Sequence, residues 1–555
     1  MLRWFVVAVG GWLCCAGAAL AQEDKSPLAR FSSDASVVIR LSEFDKTLKQ
    51  IAELVDAIQP GFGEQVEQQG GLIGVALSNP TLAGVDREED WFIIVYASGE
   101  GEPNVVFAIP ATDADAMKDA IDSKMTAVVD GDWVYYADKD KGVPEAVKAE
   151  DSIEENMSEE GDKLFYAGDL AIYINVAQLA EAYEDEIDAA QTQGHAAIEQ
   201  LGEQLGPQGE QIKPMLAVYS TMLDKALAAL GDAEELTIAL NADKTGLKIE
   251  DYAVFEEDSS TSKALAAHPR SKMALLGKLP GDSVGYLGIS ADIQALMQWG
   301  MKYNAEMLKD EAQKAAMTKA LDGMKGVKFS GMATSFDIGD AATGLLKAVG
   351  VTECGPVDTL KKQMRAITKS MGTIEAPGLK QETTLAEDAE TIGGTKIDVI
   401  TMKQEVEDPQ AAAFQTIAFG PDGMVARVAY LDKGYLQAFG GGKELMEAAL
   451  KTYKSASATS PAVAFSKTLL PESNLVWMLD LPTLAVRGAK QAGNFGAQLP
   501  FDPSELDALE VAPSFMGGAI GIEKDAIRAK FSLPVENAQN ISKLVMFGIQ
   551  KQQGQ

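Results

Sequence analysis

Histidine is almost missing from this sequence: His195 and His268 are the whole supply among 555 residues. Zinc is disfavoured at once, because zinc sites draw on imidazole and thiolate ligands. His195 follows a glycine inside an Ala- and Gln-rich helical stretch, the setting of a solvent-facing side chain. Cysteine is equally sparse, with Cys14, Cys15 and Cys354 only. Cys354 lies in the turn-like Thr-Glu-Cys-Gly-Pro with no base beside it, so an inert thiol is expected rather than a nucleophile. His-Glu-x-x-His, a P-loop and a strand-borne Gly-x-Gly-x-x-Gly are all lacking, and the one Gly-x-Ser-x-Gly, Gly281-Asp282-Ser283-Val284-Gly285, leads into an apolar strand rather than turning from a strand into a helix, which silences the usual catalytic and nucleotide signatures. The Phe-Gly-Gly-Gly-Lys run at Gly440–Gly442 lacks the Walker spacing and reads as a flexible start to a helix.

Positive charge is also in short supply. Lys and Arg total 48 against 82 Asp and Glu, a net charge of −34. Nucleic acid and anionic membrane both call for a basic surface, so neither is expected as a partner. Cations are attracted only loosely. Asp130, Asp132, Asp138 and Asp140 cluster in sequence, yet they lack EF-hand spacing, and the alternation of VYYAD separates them to different ends of a hairpin. Turn chemistry is the expectation there. No catalytic, cofactor-binding or metal-ligating residue is assigned.

Long apolar runs are absent after the first twenty residues. Arg3 precedes an apolar run from Trp4 to Leu20, and Ala19-Leu20-Ala21 is a small-x-small cleavage site. A signal peptide over 1–21 is expected, with an exported chain beginning at Gln22. Two cysteines would leave with it, so no internal disulfide is possible and burial must stabilise the core.

What is present is a strand-to-helix cassette met four times: DASVVIRLSEF from Asp34, DLAIYINVAQL from Asp169, DSVGYLGISAD from Asp282 and NLVWMLDLPTL from Asn474. Val38, Tyr173, Tyr286 and Met478 share one column. The short apolar runs read as strands covered on both faces. Asn175 and Asp480 are placed to cap the helices that follow, Pro482 falling in the first turn of one. The fold class expected is α+β, with four strand–helix–hairpin cassettes in two similar halves. Sheets are mostly antiparallel with helices packed on one face. Long, short, long, short cassettes suit duplication of a two-cassette ancestor.

The expected layout is a linker over 22–33 and a first half over 34–262. That half holds cassettes 34–148 and 164–255, joined by an acidic linker at 149–162. A second half over 272–555 holds cassettes 272–454 and 470–550. Helix Phe44–Ile58 is bounded by Pro60-Gly61, and hairpin Trp91–Tyr96/Asn104–Ile109 precedes a helix at 113–125. Strands are also expected at Thr416–Phe419 and Met424–Leu431, around Gly420-Pro421-Asp422-Gly423. A Met-rich helical stretch carries Met297, Met301, Met307, Met317 and Met324. It reads as core filling, with an apolar ligand groove or copper site as the sharper alternative.

Gly84-Val85-Asp86 leading into a hairpin, Val105–Asp113 leading out of it into a helix, and the Ile172–Val176 strand together carry a likeness. They resemble a family of exported bacterial proteins of unknown function, associated mainly with planctomycetes. The likeness spans about the first half of the chain and transfers no catalytic residue. The expected function is thus that of an exported, soluble, non-enzymatic protein with an unidentified ligand or protein partner. Two rivals are a carrier of an apolar ligand held between sheet and helices, and a hydrolase working through paired carboxylates.

Overall fold

A computed structural model describes residues 26–99, 101–204, 207–291, 294, 310–340, 343–376, 379–455, 460–495 and 499–553. The proposed signal peptide, Met297, Met301, Met307 and most of the Ser/Ala/Thr-rich stretch near 455–460 lie outside those residues. The chain is α+β, with extensive antiparallel sheet, and divides into two compact units.

Unit 1 comprises Met1–Gly209, Leu216–Ala267 and Ile522–Gln539. Its strands are β1 (Val37–Leu41), β2 (Trp91–Tyr96), β3 (Asn104–Pro110), β4 (Met125–Asp130), β5 (Trp133–Asp138), β6 (Leu170–Asn175), β7 (Ala233–Asp243), β8 (Gly246–Phe255) and the late β19 (Ala526–Pro534). They pair in the order β4–β5–β3–β2–β1–β6–β7–β8–β19, every neighbour antiparallel. The cassette strands β1 and β6 lie side by side at the centre, Val38 opposite Tyr173.

Both faces of this sheet are covered. On one, Val38, Ile94, Val106, Tyr135 and Tyr173 pack against Leu28, Phe31, Ile153 and Phe165. On the other, Trp91, Ile109, Val134 and Tyr136 pack against Phe44 of α1 (Phe44–Ile58) and Met117 of α2 (Ala114–Ala120). Helices on one face only were expected. Consecutive apolar residues in β2, β3 and β5 present apolar surface to both sides, and each side needs a cover.

Two expected linkers are core instead. Leu28 and Phe31 of the 22–33 segment are fully buried. In the acidic 149–162 run, Ile153 is fully buried and Ser152 bridges to Ser32. The run then enters α3 (Glu159–Ala167), capped by Ser158 and burying Leu164 and Phe165. Asp151, Glu155, Glu159 and Glu160 are exposed while Glu154 and Asp162 are half-buried, in an amphipathic segment whose apolar spacing the charge density disguises. α2 is also shorter than the 113–125 expected, because Met125 already begins β4.

Unit 2 comprises Glu210–Met215, His268–Gly521 and Asn540–Gln555. Its strands are β9 (Gly285–Ile289), β10 (Lys328–Ile338), β11 (Leu346–Gly355), β12 (Thr373–Ala376), β13 (Leu379–Ile392), β14 (Thr395–Val406), β15 (Met424–Leu431), β16 (Gly434–Phe439), β17 (Leu475–Leu479) and β18 (Met516–Ile522). The order is β18–β17–β9–β10–β11–β16–β15–β14–β13–β12, again antiparallel throughout. Here too the two cassette strands are neighbours, Tyr286 opposite Met478. β17 is buried on one face only: Val476 and Met478 are enclosed while Trp477 is 36 % exposed, against the expected two-sided cover.

Helices α10 (Gly442–Ser455) and α11 (Pro461–Leu469) cover the Ala333 and Val349 side of this sheet. Helices α7 (Glu311–Gly323) and α8 (Val357–Met371) cover the Met332 and Phe329 side. Thr416–Phe419 is not a strand but the end of α9 (Pro409–Phe419), started by the Asp408 cap and Pro409. The largest departure concerns the halves. Residues 522–539, expected in the second, belong to unit 1, because β19 pairs along the whole of β8 from Ala526–Val254 to Pro534–Gly246.

Candidate functional site

The most suggestive polar constellation lies on a helical hairpin of unit 1. Beyond β6, Asn175 caps α4 (Val176–Ala182) by accepting from the Gln178 N–H at 3.0 Å, as its position suggested. The chain then runs through α5 (Glu184–Gln204) and α6 (Pro207–Gly231). Gly194 lets the two helices close, since a Cβ there would lie 2.6 Å from Leu223 Cδ2. That approach brings His195 of α5 against Ser220 and Asp224 of α6.

Ser220 Oγ lies 2.9 Å from His195 Nδ1, and His195 Nε2 lies 2.8 Å from Asp224 Oδ1. Gln191 Nε2 also donates to Asp224 Oδ1 at 3.2 Å. These hydrogen bonds, with Gln191 first, hold the Asp224 carboxyl below the ordinary aspartate value. With the proton on Nε2, the imidazole accepts from the serine and donates to the carboxylate, the order that activates a nucleophile.

An acyl-transfer site needs donors for the developing oxyanion as well. Ser220 stands well inside α6, where backbone N–H groups are committed to the carbonyls four residues back. Both helices expose the constellation to water. As placed, the three residues bind α5 to α6.

From sequence His195 is expected on a helix facing solvent, with nothing beside it that joins it to Ser220. A signal existed. Gln191/His195 and Ser220/Asp224 are each four apart, on stretches lying at similar distances either side of Gly206-Pro207. An antiparallel fold-back at that break brings the pairs together.

Carboxylates are the other candidates. Glu235 is buried, with Oε2 accepting the Ser158 N–H at 2.7 Å and Oε1 accepting the Thr237 hydroxyl at 2.9 Å. Burial pushes its pKa up, as it does for Glu154 and Asp162, with Asp162 adding repulsion to both glutamates. Asp398, 1 % exposed, accepts Arg365 Nε at 2.7 Å and the Asp388 N–H at 2.8 Å. Asp480 caps α12 (Leu481–Gln491), accepting from the Thr483 N–H at 3.0 Å and its hydroxyl at 2.7 Å; burial raises its pKa too. Glu235, Asp398 and Asp480 each hold a helix end or a hairpin in place.

Cys354 is buried near the end of β11, in a strand rather than the turn-like setting expected. Burial, with Glu353 nearby, pushes its thiol up to about 11. Met317 and Met324 pack with Phe329, Leu360 and Ile367. Asp130 faces Trp133 at one end of the β4–β5 pair and Asp138 faces Met125 at the other. Among the described residues no three His, Cys, Asp or Glu side chains gather as a metal site would need, and no helix is long and apolar enough to cross a membrane.

The class defined by this architecture is an α+β protein of antiparallel sheets. No family model, no curated protein and no solved structure matches the chain.

Proposed function

We propose that this is an exported, non-enzymatic protein with a structural or binding role. The observation that carries the reading is the setting of Ser220–His195–Asp224. The only histidine-centred relay among the described residues joins two helices, its serine set where main-chain N–H groups are already committed. The buried carboxylates Glu235, Asp398 and Asp480 are bonded to helix ends, an arginine and the amide of a β-bulge, which disfavours the paired-carboxylate hydrolase. Met317 and Met324 fill core, which disfavours the apolar carrier. Export rests on the Trp4–Leu20 run and the Ala19-Leu20-Ala21 site. Duplication of a two-cassette ancestor is part of the proposal, supported by the matched pairs Val38–Tyr173 and Tyr286–Met478. So is kinship with the exported planctomycete-type proteins.

A fluorophosphonate probe tests the catalytic point, since it labels an activated serine whatever the natural substrate. No labelling of Ser220 is expected at pH 7–8, and Ser220→Ala should leave the labelling pattern unchanged. Covalent modification of Ser220 overturns the non-enzymatic reading. Export is tested by the mass of the native N-terminus, expected at Gln22.

A further inference from the structure

We propose that β4 is an interaction edge, and that its partner is β4 of a second copy of this chain, paired antiparallel about Ala127. Among the described residues β4 pairs with β5 alone, so one row of its N–H and C=O groups faces outward. Unit 2 has a strand in the same place. The series β3–β5–β4 is matched by β11–β16–β15, and the outer side of β15 is taken by β14, from Ile397–Ala429 to Met402–Met424. The same edge therefore carries an added strand in one unit and stands open in the other.

The open edge lacks the usual protection. Thr126, Ala127, Val128 and Val129 bear no charge in a chain of net charge −34. Val128 and Val129 are each 41 % exposed and, being consecutive strand residues, project from opposite faces. An exposed apolar edge of this kind is a template for strand addition.

Register and charge together select the occupant. β4 and β5 are joined by the two-residue turn Gly131–Asp132, with Gly131 at φ +59°. In such a hairpin the flanking pair, Asp130 and Trp133, exchanges both hydrogen bonds, and the pattern then alternates along the ladder. Met125, Ala127 and Val129 are left with N–H and C=O pointing away from β5. A second β4 centred on Ala127 sets Ala127 against Ala127 and Met125 against Val129. The remaining outward groups then pair, in about four inter-strand hydrogen bonds, the Met125 N–H being already given to the Asp122 carbonyl at 2.8 Å. The same register places Lys124 of each copy opposite Asp130 of the other. A slip of one residue turns the outward groups against inward ones and separates the charges. The edge is complementary to itself.

Light scattering after size exclusion, run on the full chain over a range of concentrations, tests this. A concentration-dependent dimer is expected. Ala127→Pro removes an outward N–H at an edge position, where proline is tolerated, and should leave a monomer at every concentration. Lys124→Asp sets like charges together twice and should weaken the dimer about tenfold. Lys124→Asp with Asp130→Lys should restore it. The charge variants leave the backbone unchanged, so a folding defect in Ala127→Pro would not remove the test. A monomer at about 100 µM, a dimer indifferent to all three variants, or a monomer whose β4 captures only a different extended peptide overturns the proposal. None of these outcomes depends on whether Ser220 is reactive.

Discussion

The two units arrange their central strands alike but complete them differently. In unit 1 the position beside Val38 on β1 is Arg40, buried and held by Asp90 at 2.7 Å and by the carbonyls of Gly168 at 2.8 Å and Phe165 at 3.2 Å. In unit 2 the matching residue on β9 is Gly288, with Leu276 and Met273 placed where a Cβ would meet them at 3.4 Å. One unit satisfies a buried charge where the other packs apolar atoms. Unit 1 also takes its last strand, β19, from near the far end of the chain, whereas unit 2 extends its opposite edge with the local β12–β14. A shared strand order therefore does not imply a shared source of stability. Unit 1 anchors its central strand through a buried arginine and closes one edge with a distant strand, whereas unit 2 packs apolar atoms at that central position and keeps its polar anchor, Arg365–Asp398, on the side it extends locally.

The largest effect expected from breaking this contrast is on a chain cut between Glu256 and Ser262. The N-terminal piece loses β19, including fully buried Ala526 and Arg528, which pairs with Glu160 and Glu250 at 2.9 Å each. It should fail to melt cooperatively by circular dichroism until a peptide covering 522–539 is supplied. A piece that melts cooperatively alone would remove the distinction. Next is Arg40→Met, which takes the charged partner from Asp90, leaving it only the Glu43 N–H at 3.3 Å, and the donor from two carbonyls. It should cost about 3–5 kcal/mol in the unit 1 unfolding transition, read by urea denaturation, with unit 2 unaffected.

Smaller losses follow for the caps. Asn175→Ala and Asp480→Ala should each cost about 1 kcal/mol, the first in unit 1 and the second in unit 2. The smallest effect is a pH dependence. Glu235 has its pKa raised in the folded state, so its protonation favours folding. That contribution is complete below the unfolded glutamate value and is lost as pH rises through the folded one. Glu235→Gln should therefore reduce the gain in melting temperature that the native chain shows on acidification from pH 7 towards pH 4.

What was legible in the sequence was local and periodic. The cassette strands, the β2–β3 hairpin, α1 and the caps at Asn175 and Asp480 all announce themselves within a few residues. Ile153 and Met157 were hidden because the surrounding acids suppress the apolar signal, although a folded amphipathic segment needs only one apolar face. α9 was obscured by its apolar end at Thr416–Phe419, while the Asp408-Pro409 start signal was there to be read. Pairings between distant segments were not legible at all. Nothing near Ala526 or Val254 states that they are neighbours, and His195 meets Ser220 only once two helices fold back on each other.

The contrast between an open and a filled edge is tested most directly by hydrogen exchange of peptides covering 125–130 and 424–431, measured over a dilution series. β4 should exchange fast when dilute and gain protection as concentration rises, while β15, held by β14 and β16, should be protected throughout. Protection of β4 that is already complete at high dilution, or β15 exchanging as fast as dilute β4, would contradict the account.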